Sequence, residues 1–390
     1  MRRWLLATGM TLFSGLAISA RAGSGAVIFP DDLDQWQAQV VVGRPGNTSF
    51  IQGPAKEGGI AGTGHIAIDK AGNIYSACGT FIQVAGKDGT ARVLAGSPGI
   101  GGCTDGAAEK ATFASAIDIA IGPDGALYVV DEVNLALRKV AKQGDAWQVT
   151  TVAGVPGQRG HRDGPGNQAL FDTPFDSVAV SDEGVVYTLN GNWLRKFEKG
   201  IVTTLNAGTG PANGPLAKAQ FNRAMAGGAA LSFGNEGELY VADRWNQAIR
   251  KVDFKKGEVT TVAGAEPGAK WGGPADGPAL QARFHGGGGP YQVLYARKNN
   301  FLLAKSADED TLRIIKDGKM MTFGFTGGAD SRKAAEGPIR SLIGDYVAPV
   351  AEDAEGNIYL GNCHSAGQMI RKVSKTSVPT AGKDQASTVE

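Results

Sequence analysis

The apolar residues of this chain fall in short runs, not in helical stripes. Runs such as IDIAI (117–121), SVAV (177–180) and VVYTLN (185–190) are rich in β-branched and aromatic side chains. Turns separate them: KAGN (70–73), GPDG (122–125), SDEG (181–184), GNEG (234–237) and DAEG (353–356). Each carries Gly where a tight hairpin needs positive φ. Apolar runs of strand length, punctuated in this way, predict packed antiparallel sheets.

The pattern repeats six times, and four landmarks mark each copy. The first is a β-branched run closed by Gly, as in Val40–Gly43, Val93–Gly96, Thr151–Gly154, Thr204–Gly208 and Thr261–Gly264, with a degraded copy at Met321–Gly324. The second is a polar residue, Gly and usually Pro: Gln52-Gly53-Pro54, Asp105-Gly106-Ala107, Asp163-Gly164-Pro165, Asn213-Gly214-Pro215, Asp276-Gly277-Pro278 and Glu336-Gly337-Pro338. The third is the turn plus strand, as in GNIYSA (72–77), GALYVVD (125–131), GELYVAD (237–243) and GNIYLGN (356–362). The fourth is FIQV (81–84), LRKV (137–140), LRKF (194–197), IRKV (249–252), LRII (312–315) and IRKV (370–373). Successive Gly-Pro landmarks lie 50 to 63 residues apart, a period of propeller size. Five units are complete in sequence order. The sixth, at 347–373, lacks its fourth strand, and an orphan strand at 37–43 supplies it. The fold expected is therefore all-β: one six-bladed β-propeller of four-stranded blades over 37–373, with the N-terminal strand completing the last blade. Such closure removes exposed sheet edges.

What flanks the repeat changes the picture. Arg2-Arg3, an apolar run from Trp4 to Ser19, and Ala20-Arg21-Ala22 before Gly23 read as a secretory signal peptide over 1–22. Residues 23–36 read as a linker and 374–390 as a disordered polar tail. No other stretch is long and apolar enough to span a membrane. The expected location is therefore exported, in the periplasm or secreted. The formal net charge of +1 over 390 residues shows no single-sign excess, which argues against a nucleic-acid partner. Export permits a disulfide among Cys78, Cys103 and Cys363. Cys78–Cys103 is the preferred pair, since both lie on one side of blade one; Cys103–Cys363 and Cys78–Cys363 remain open.

The TVAG–DG–A-x-F loop, the xGxLYVAD strand with a downstream Asn, and the (I/L)RKV strand together resemble the NHL family of propellers. Asp131 with Asn134 and Arg138, and Asp243 with Asn246 and Arg250, fit its pattern most closely. The resemblance covers about 330 residues of this sequence. It implies a propeller fold. Its implications for function are broad, because NHL-like propellers serve as protein, RNA and ligand platforms, as sensor domains, and as lyases or lactonase relatives.

Residues repeated in every blade hold the repeat together, so function is sought where the blades differ. Counting back seven residues from each turn Gly gives His65, Asp118, Ser177 and Ala230, then approximately Gln292 and Pro349, at the start of the innermost strand. His65 and Asp118 would face one channel mouth from neighbouring blades, with Asp176 and His285 just ahead of neighbouring inner strands. A His and a carboxylate there can hold a divalent metal or act as base and orienter. His65, Asp118 and His285 are thus the catalytic candidates, with His65 and Asp118 as metal ligands; a plain hydrated channel is the competing reading. Asp176, Ser177, His161 and Trp271 are the ligand-binding candidates. Trp193, Trp245 and Trp271 can stack on a sugar or peptide or simply pack between blades. No G-x-S-x-G, HExxH, Cys-x-x-Cys or phosphate loop occurs. The leading expectation is a monomeric binding platform for a protein, peptide, small-molecule or carbohydrate ligand. The alternative is a periplasmic metal-assisted lyase or lactonase-like hydrolase.

Overall fold

The computed structural model describes residues 35–44, 50–58, 65–222, 230–264, 276–284, 289–306, 312–323, 336–339, 347–362 and 369–376. Their strands form six antiparallel sheets of five strands each. Blade 2 shows the plan. From the axis outward run Ala116–Ile121, Leu127–Asp131, Ala136–Gln143 and Ala146–Ala153. The fifth strand is Gly106–Ala107, paired with Val149 and Gln148 on the outer edge.

Four strands per blade were expected, and the fifth corrects that count. It is the Gly-Pro landmark itself, and the Gly explains it. All six copies (Gly53, Gly106, Gly164, Gly214, Gly277 and Gly337) hold φ between +108° and +137°. That backbone turns the chain onto the blade edge and is closed to other L-residues. Nothing lies within 4 Å of a Cβ built at Gly53, Gly106, Gly164, Gly214 or Gly277, so conformation and not room demands glycine.

The inner strands of successive blades touch all the way round. Val347–Glu352 of blade 6 lies against Ile66–Ile68 of blade 1. Trp36–Val42 pairs antiparallel with Ile370–Lys375 and takes the fourth place in the blade 6 sheet. Apolar contacts join the blades. Phe113 packs with Ala77 and Ile82 of blade 1 and with Ile119 and Leu127 of blade 2. Phe171 sits in the same way between blades 2 and 3. These are the phenylalanines of the A-x-F loop, and Phe113, Phe171, Phe221 and Phe284 are all fully buried.

Three of these rings each cover a buried arginine. Arg138 stacks 4.9 Å from the Phe113 ring, Arg195 4.8 Å from Phe171 and Arg250 5.6 Å from Phe221. Arg138 is fully buried and donates to Asp131 Oδ2 at 3.0 Å, Thr112 O at 3.0 Å, Thr104 O at 3.0 Å and Asp105 Oδ1 at 2.8 Å. Asp105 in turn accepts from Thr151 N at 2.8 Å, which fixes the loop to the fourth strand. Arg250 repeats the device with Asp243 at 2.8 Å and Asn213 at 2.6 Å. Complete burial raises the Asp243 carboxyl above its ordinary range despite the pull of Arg250. Blade 3 carries Asn190 where blades 2 and 4 carry Asp131 and Asp243, and Arg195 relies on Asp163 at 2.7 Å and two carbonyls. Its pKa is lowered by burial. Arg371 in blade 6 is pushed down to about 10, also by burial.

A buried pair is costly to break from one side, because the remaining charge is left in a low-dielectric interior. Arg138→Ala should therefore destabilise the protein by about 3–5 kcal/mol in urea denaturation. Lys139→Ala next to it, which removes a half-exposed bridge to Asp124, should change stability by no more than about 1 kcal/mol.

Candidate functional site

The strand registers put the expected inner-strand residues at one level. The backbones of His65 and Ala77 are bonded, Asp118 faces Val130, Ser177 faces Leu189, the backbones of Ala230 and Ala242 are bonded, and Gln292 faces Lys305. Pro349 lies in the sixth inner strand, opposite Leu360. In blades 2, 3 and 5 a register shift falls one residue earlier, after Ala116, Phe175 and Pro290. These bulges turn the polar side chain towards the neighbouring blades.

The ring is closed by its own side chains. His65 Nδ1 lies 3.1 Å from Asp118 Oδ1, and His65 Nε2 lies 3.3 Å from Gln292 Nε2. The contacts fit Nδ1 facing the Asp118 carboxylate and Nε2 facing the Gln292 amide. Asp118 Oδ1 also accepts from Ile119 N at 2.9 Å, and Oδ2 accepts from Val178 N of blade 3 at 2.9 Å. Ser177 Oγ accepts from Ala230 N of blade 4 at 3.0 Å, and lower on the strand Ser232 Oγ accepts from Tyr295 N of blade 5 at 2.8 Å. Each acceptor thus ties a strand to the next blade, and His65 reaches two blades away to Gln292. All five residues at this level are buried.

His65 and Asp118 therefore meet as expected, but the contact is direct. Among the described residues no group of three His, Cys, Asp or Glu side chains could hold a metal ion. His285 and Trp271 lie outside the described residues. Asp176 is not ahead of its strand but inside Phe175–Val180, buried at the bulge. Burial, and after it the charge of Asp176, raises the Glu132 carboxyl above its ordinary range. His161 is exposed and stands 4.6 Å from the Trp193 ring, with Nε2 3.2 Å from Thr204 Oγ1. Burial under that contact and the nearby Arg195 hold its imidazole below the ordinary range. Trp193 also packs against Gly208.

The expected Cys78–Cys103 disulfide is not formed. Cys78 is buried and its Sγ donates to Ser76 O at 3.5 Å and Gln83 Oε1 at 3.8 Å, inside its own blade. Cys103 is half-buried, and burial pushes its thiol up. Cys363 lies outside the described residues.

Sequence reasoning passed over the opposite end of the ring, where the hairpin turns lie. A hollow of about 730 Å³ opens between the turns of blades 1, 2 and 3, lined by Asp69, Lys70, Pro123, Asp124 and Asp182. A groove of about 780 Å³ runs across blade 4 between Tyr187 of blade 3 and Tyr295 of blade 5, and one of about 600 Å³ continues it between blades 4 and 5. Tyr240 and Tyr295 stack with centroids 5.2 Å apart, and Tyr187 lies 4.9 Å from Phe254. The signal was present in the sequence. Three residues past the His65 level the inner strands carry Ile68, Ile121 and Val180, but Phe233 and Tyr295 in blades 4 and 5.

Asp118→Ala would strand the Val178 N–H and one His65 nitrogen in the interior, with an expected loss of roughly 2–4 kcal/mol by chemical denaturation. Glu132 supplies a pH test. Its folded pKa is raised, so its favourable contribution is present below the ordinary value of 4.5 and is lost as pH rises through the folded pKa. Glu132→Gln should therefore be more stable than the wild type at pH 7, and the advantage should vanish well below pH 4.5.

No family model matches the sequence. The chain is similar to NHL repeat-containing protein 2 of Bos taurus, 25% identical over 280 residues, covering 64% of this chain and 38% of that protein. It is also similar to Protein SUPPRESSOR OF QUENCHING 1, chloroplastic, of Arabidopsis thaliana, 27% identical over 192 residues, covering 45% of this chain and 17% of that protein. The chain thus spans less than two fifths of the length of either relative. Among solved structures it resembles an auxiliary nutrient binding protein from Bacteroides ovatus, with a TM-score of 0.61 at 13% identity over 88% of this chain and 77% of that one. At that identity the likeness speaks for the fold alone. The sixfold repeat and the ring it builds make this chain a six-bladed β-propeller, and its sequence is similar to that of an NHL repeat-containing protein.

Proposed function

We propose that the protein is an exported binding platform, a rigid ring that holds its ligand on the face formed by the hairpin turns. One observation carries this reading: the most reactive side chains of the ring are already engaged with each other. Both oxygens of Asp118 and both nitrogens of His65 have partners within the ring, the farthest being Gln292 two blades from His65. The open concavities lie at the other end and fall within the roughly 300–1,000 Å³ typical of ligand sites. A fixed scaffold with blade-to-blade variation at its turns is where binding specificity accumulates.

A propeller of this fold also serves as an auxiliary nutrient binding protein, which is in keeping with a binding role, and the leader-like segment at residues 1–22 supports export. Among the described residues no helix is long and apolar enough to cross a membrane. The near-neutral charge speaks for a protein, peptide, small-molecule or carbohydrate ligand in preference to nucleic acid.

The second reading is a periplasmic metal-assisted lyase or lactonase-like hydrolase. The His65–Asp118 contact favours it, because a carboxylate on Nδ1 leaves Nε2 as the basic nitrogen. The donor set does not fit a divalent metal, whose ligands must offer free lone pairs. Asp118 Oδ1 already takes two contacts and Oδ2 one, and His65 Nε2 faces the Gln292 amide, so most of the donor set serves bonds within the ring.

Metal content of protein purified without chelators, beside a His65→Ala/Asp118→Ala double variant, decides between the two. The binding reading expects no stoichiometric metal in either. One metal per chain, lost in the double variant, would overturn it in favour of the enzyme.

A further inference from the structure

We infer that the groove across blades 3, 4 and 5 is a binding site for a neutral oligosaccharide; the inference rests on the binding-platform reading and names the ligand class. The first support is the wall. Tyr187, Phe254 and Tyr295 line the groove and each keeps part of its ring exposed. Tyr240 backs Tyr295 at an interplanar angle of 4°, and Phe233 backs Tyr187 edge-on at 5.4 Å. Rings braced in this way present a flat apolar surface at little entropic cost, and the C–H face of a pyranose stacks on such a surface.

The second support is the fixed polar rim. Tyr295 Oη donates to Asn300 Oδ1 at 2.5 Å, and Tyr240 Oη donates to Glu238 Oε1 at 3.2 Å. Glu238 is itself locked. Its Oε2 accepts from Glu236 N at 2.8 Å, and its carboxylate fills the space where Gly234 lacks a side chain. Blades 1 and 6 place a carboxylate beside the same Tyr from the other end of the turn, through Asp69 to Tyr75 at 2.9 Å and Asp353 to Tyr359 at 3.1 Å. Blade 4 thus keeps the anchor but delivers it from Glu238. Burial and Glu238 raise the Tyr240 phenol above its ordinary range, so it stays a hydrogen-bonding hydroxyl.

The third support excludes the other classes. Four carboxylates (Glu183, Glu236, Glu238, Asp253) face three ammonium groups (Lys251, Lys255, Lys256) along the groove, so the two signs are mixed and the excess is a single negative charge, a weak basis for selecting an ion. Lys256 and Asp253 already lie 3.5 Å apart. A peptide adding as a strand needs free main-chain groups. Here the rim is made of turns whose N–H groups are engaged: Gly234 N with Glu238 O, Glu236 N with Glu238 Oε2, and Lys255 N and Lys256 N with Asp253 Oδ1. What remains is side-chain hydroxyl, amide and carboxylate around aromatic rings.

The test uses the full chain on a broad printed array of neutral and acidic glycans. Calorimetry then follows with β-1,4-glucan, β-1,4-xylan, α-1,4-glucan and β-1,3-glucan tetrasaccharides, an oligogalacturonate and lysine- and glutamate-rich tetrapeptides. The expected result is binding of a neutral glycan, weakened about tenfold or more by Tyr295→Ala and by Phe254→Ala. Tyr295→Phe, which keeps the ring, should retain most of the affinity and so separates ligand loss from misfolding. Val133→Ala, on the exposed loop between Leu127–Asp131 and Ala136–Gln143 at the opposite end of the ring, should leave binding unchanged. Binding of the oligogalacturonate or a tetrapeptide alone, weakened by the same groove variants, would overturn the ligand class while leaving the binding platform standing. Neutral-glycan binding indifferent to both groove variants would overturn the site. Silence from every glycan and peptide would overturn the inference and count against the platform as well.

Discussion

The buried guanidinium is the constraint on which the ring depends. A charge taken out of water must be matched by opposite charge and by hydrogen bonds at nearly all its donors. Arg138 reaches into its own blade for Asp131 and into the incoming loop for Asp105 and two carbonyls. The loop therefore cannot detach from the blade without exposing the charge to an unfavourable interior. Because the same loop carries Phe113 into the seam with the previous blade, one guanidinium couples the order of a blade to its docking on the next. Blade 1 departs from this scheme. Gln83 stands where the others have Arg, and Cys78 Sγ is among its partners. A neutral amide needs no counter-charge, so blade 1 tolerates a different loop.

A second, weaker set of bonds joins the blades near the axis. Asp118, Ser177 and Ser232 each accept an N–H from the following blade. These are acceptors of different strength doing one geometric task. They give polar residues in an otherwise apolar strand a structural task. Convergence of a His and an Asp is thus a poor indicator of catalysis in a ring, where symmetry forces side chains of one level together whatever their role.

The fold was legible because its signals are local and repeated. Gly with forced positive φ, the RK strand and the A-x-F loop each report a backbone or packing need, and six copies average out the noise. The level of His65, Asp118, Ser177, Ala230 and Gln292 was legible for the same reason, since turn-to-strand spacing is nearly fixed. The fifth strand was missed because two residues carry no periodicity. The Gln292 partner of His65 was missed because that reach crosses from blade 1 to blade 5, a relation that depends on closing the ring and leaves no trace in spacing. The Cys78 environment was misjudged on similar grounds: sharing a side of the ring says nothing about where a thiol points.

The groove was hidden for a further reason. Its aromatics come from three blades and from positions that look like ordinary core. Tyr240 is a strand tyrosine of the kind found in nearly every repeat, and Phe233 and Tyr295 replace residues that are apolar anyway. Only the assembled ring shows that the replacement brings rings of adjacent blades face to face at the surface. A repeat protein conserves its energy-bearing contacts in every unit by construction. The freedom left for specificity therefore lies in substitutions that are neutral for packing within a blade but consequential between blades. The Tyr240–Tyr295 stack is such a pair. It satisfies the seam as any apolar pair would, and it also leaves a flat, braced surface beside a locked carboxylate.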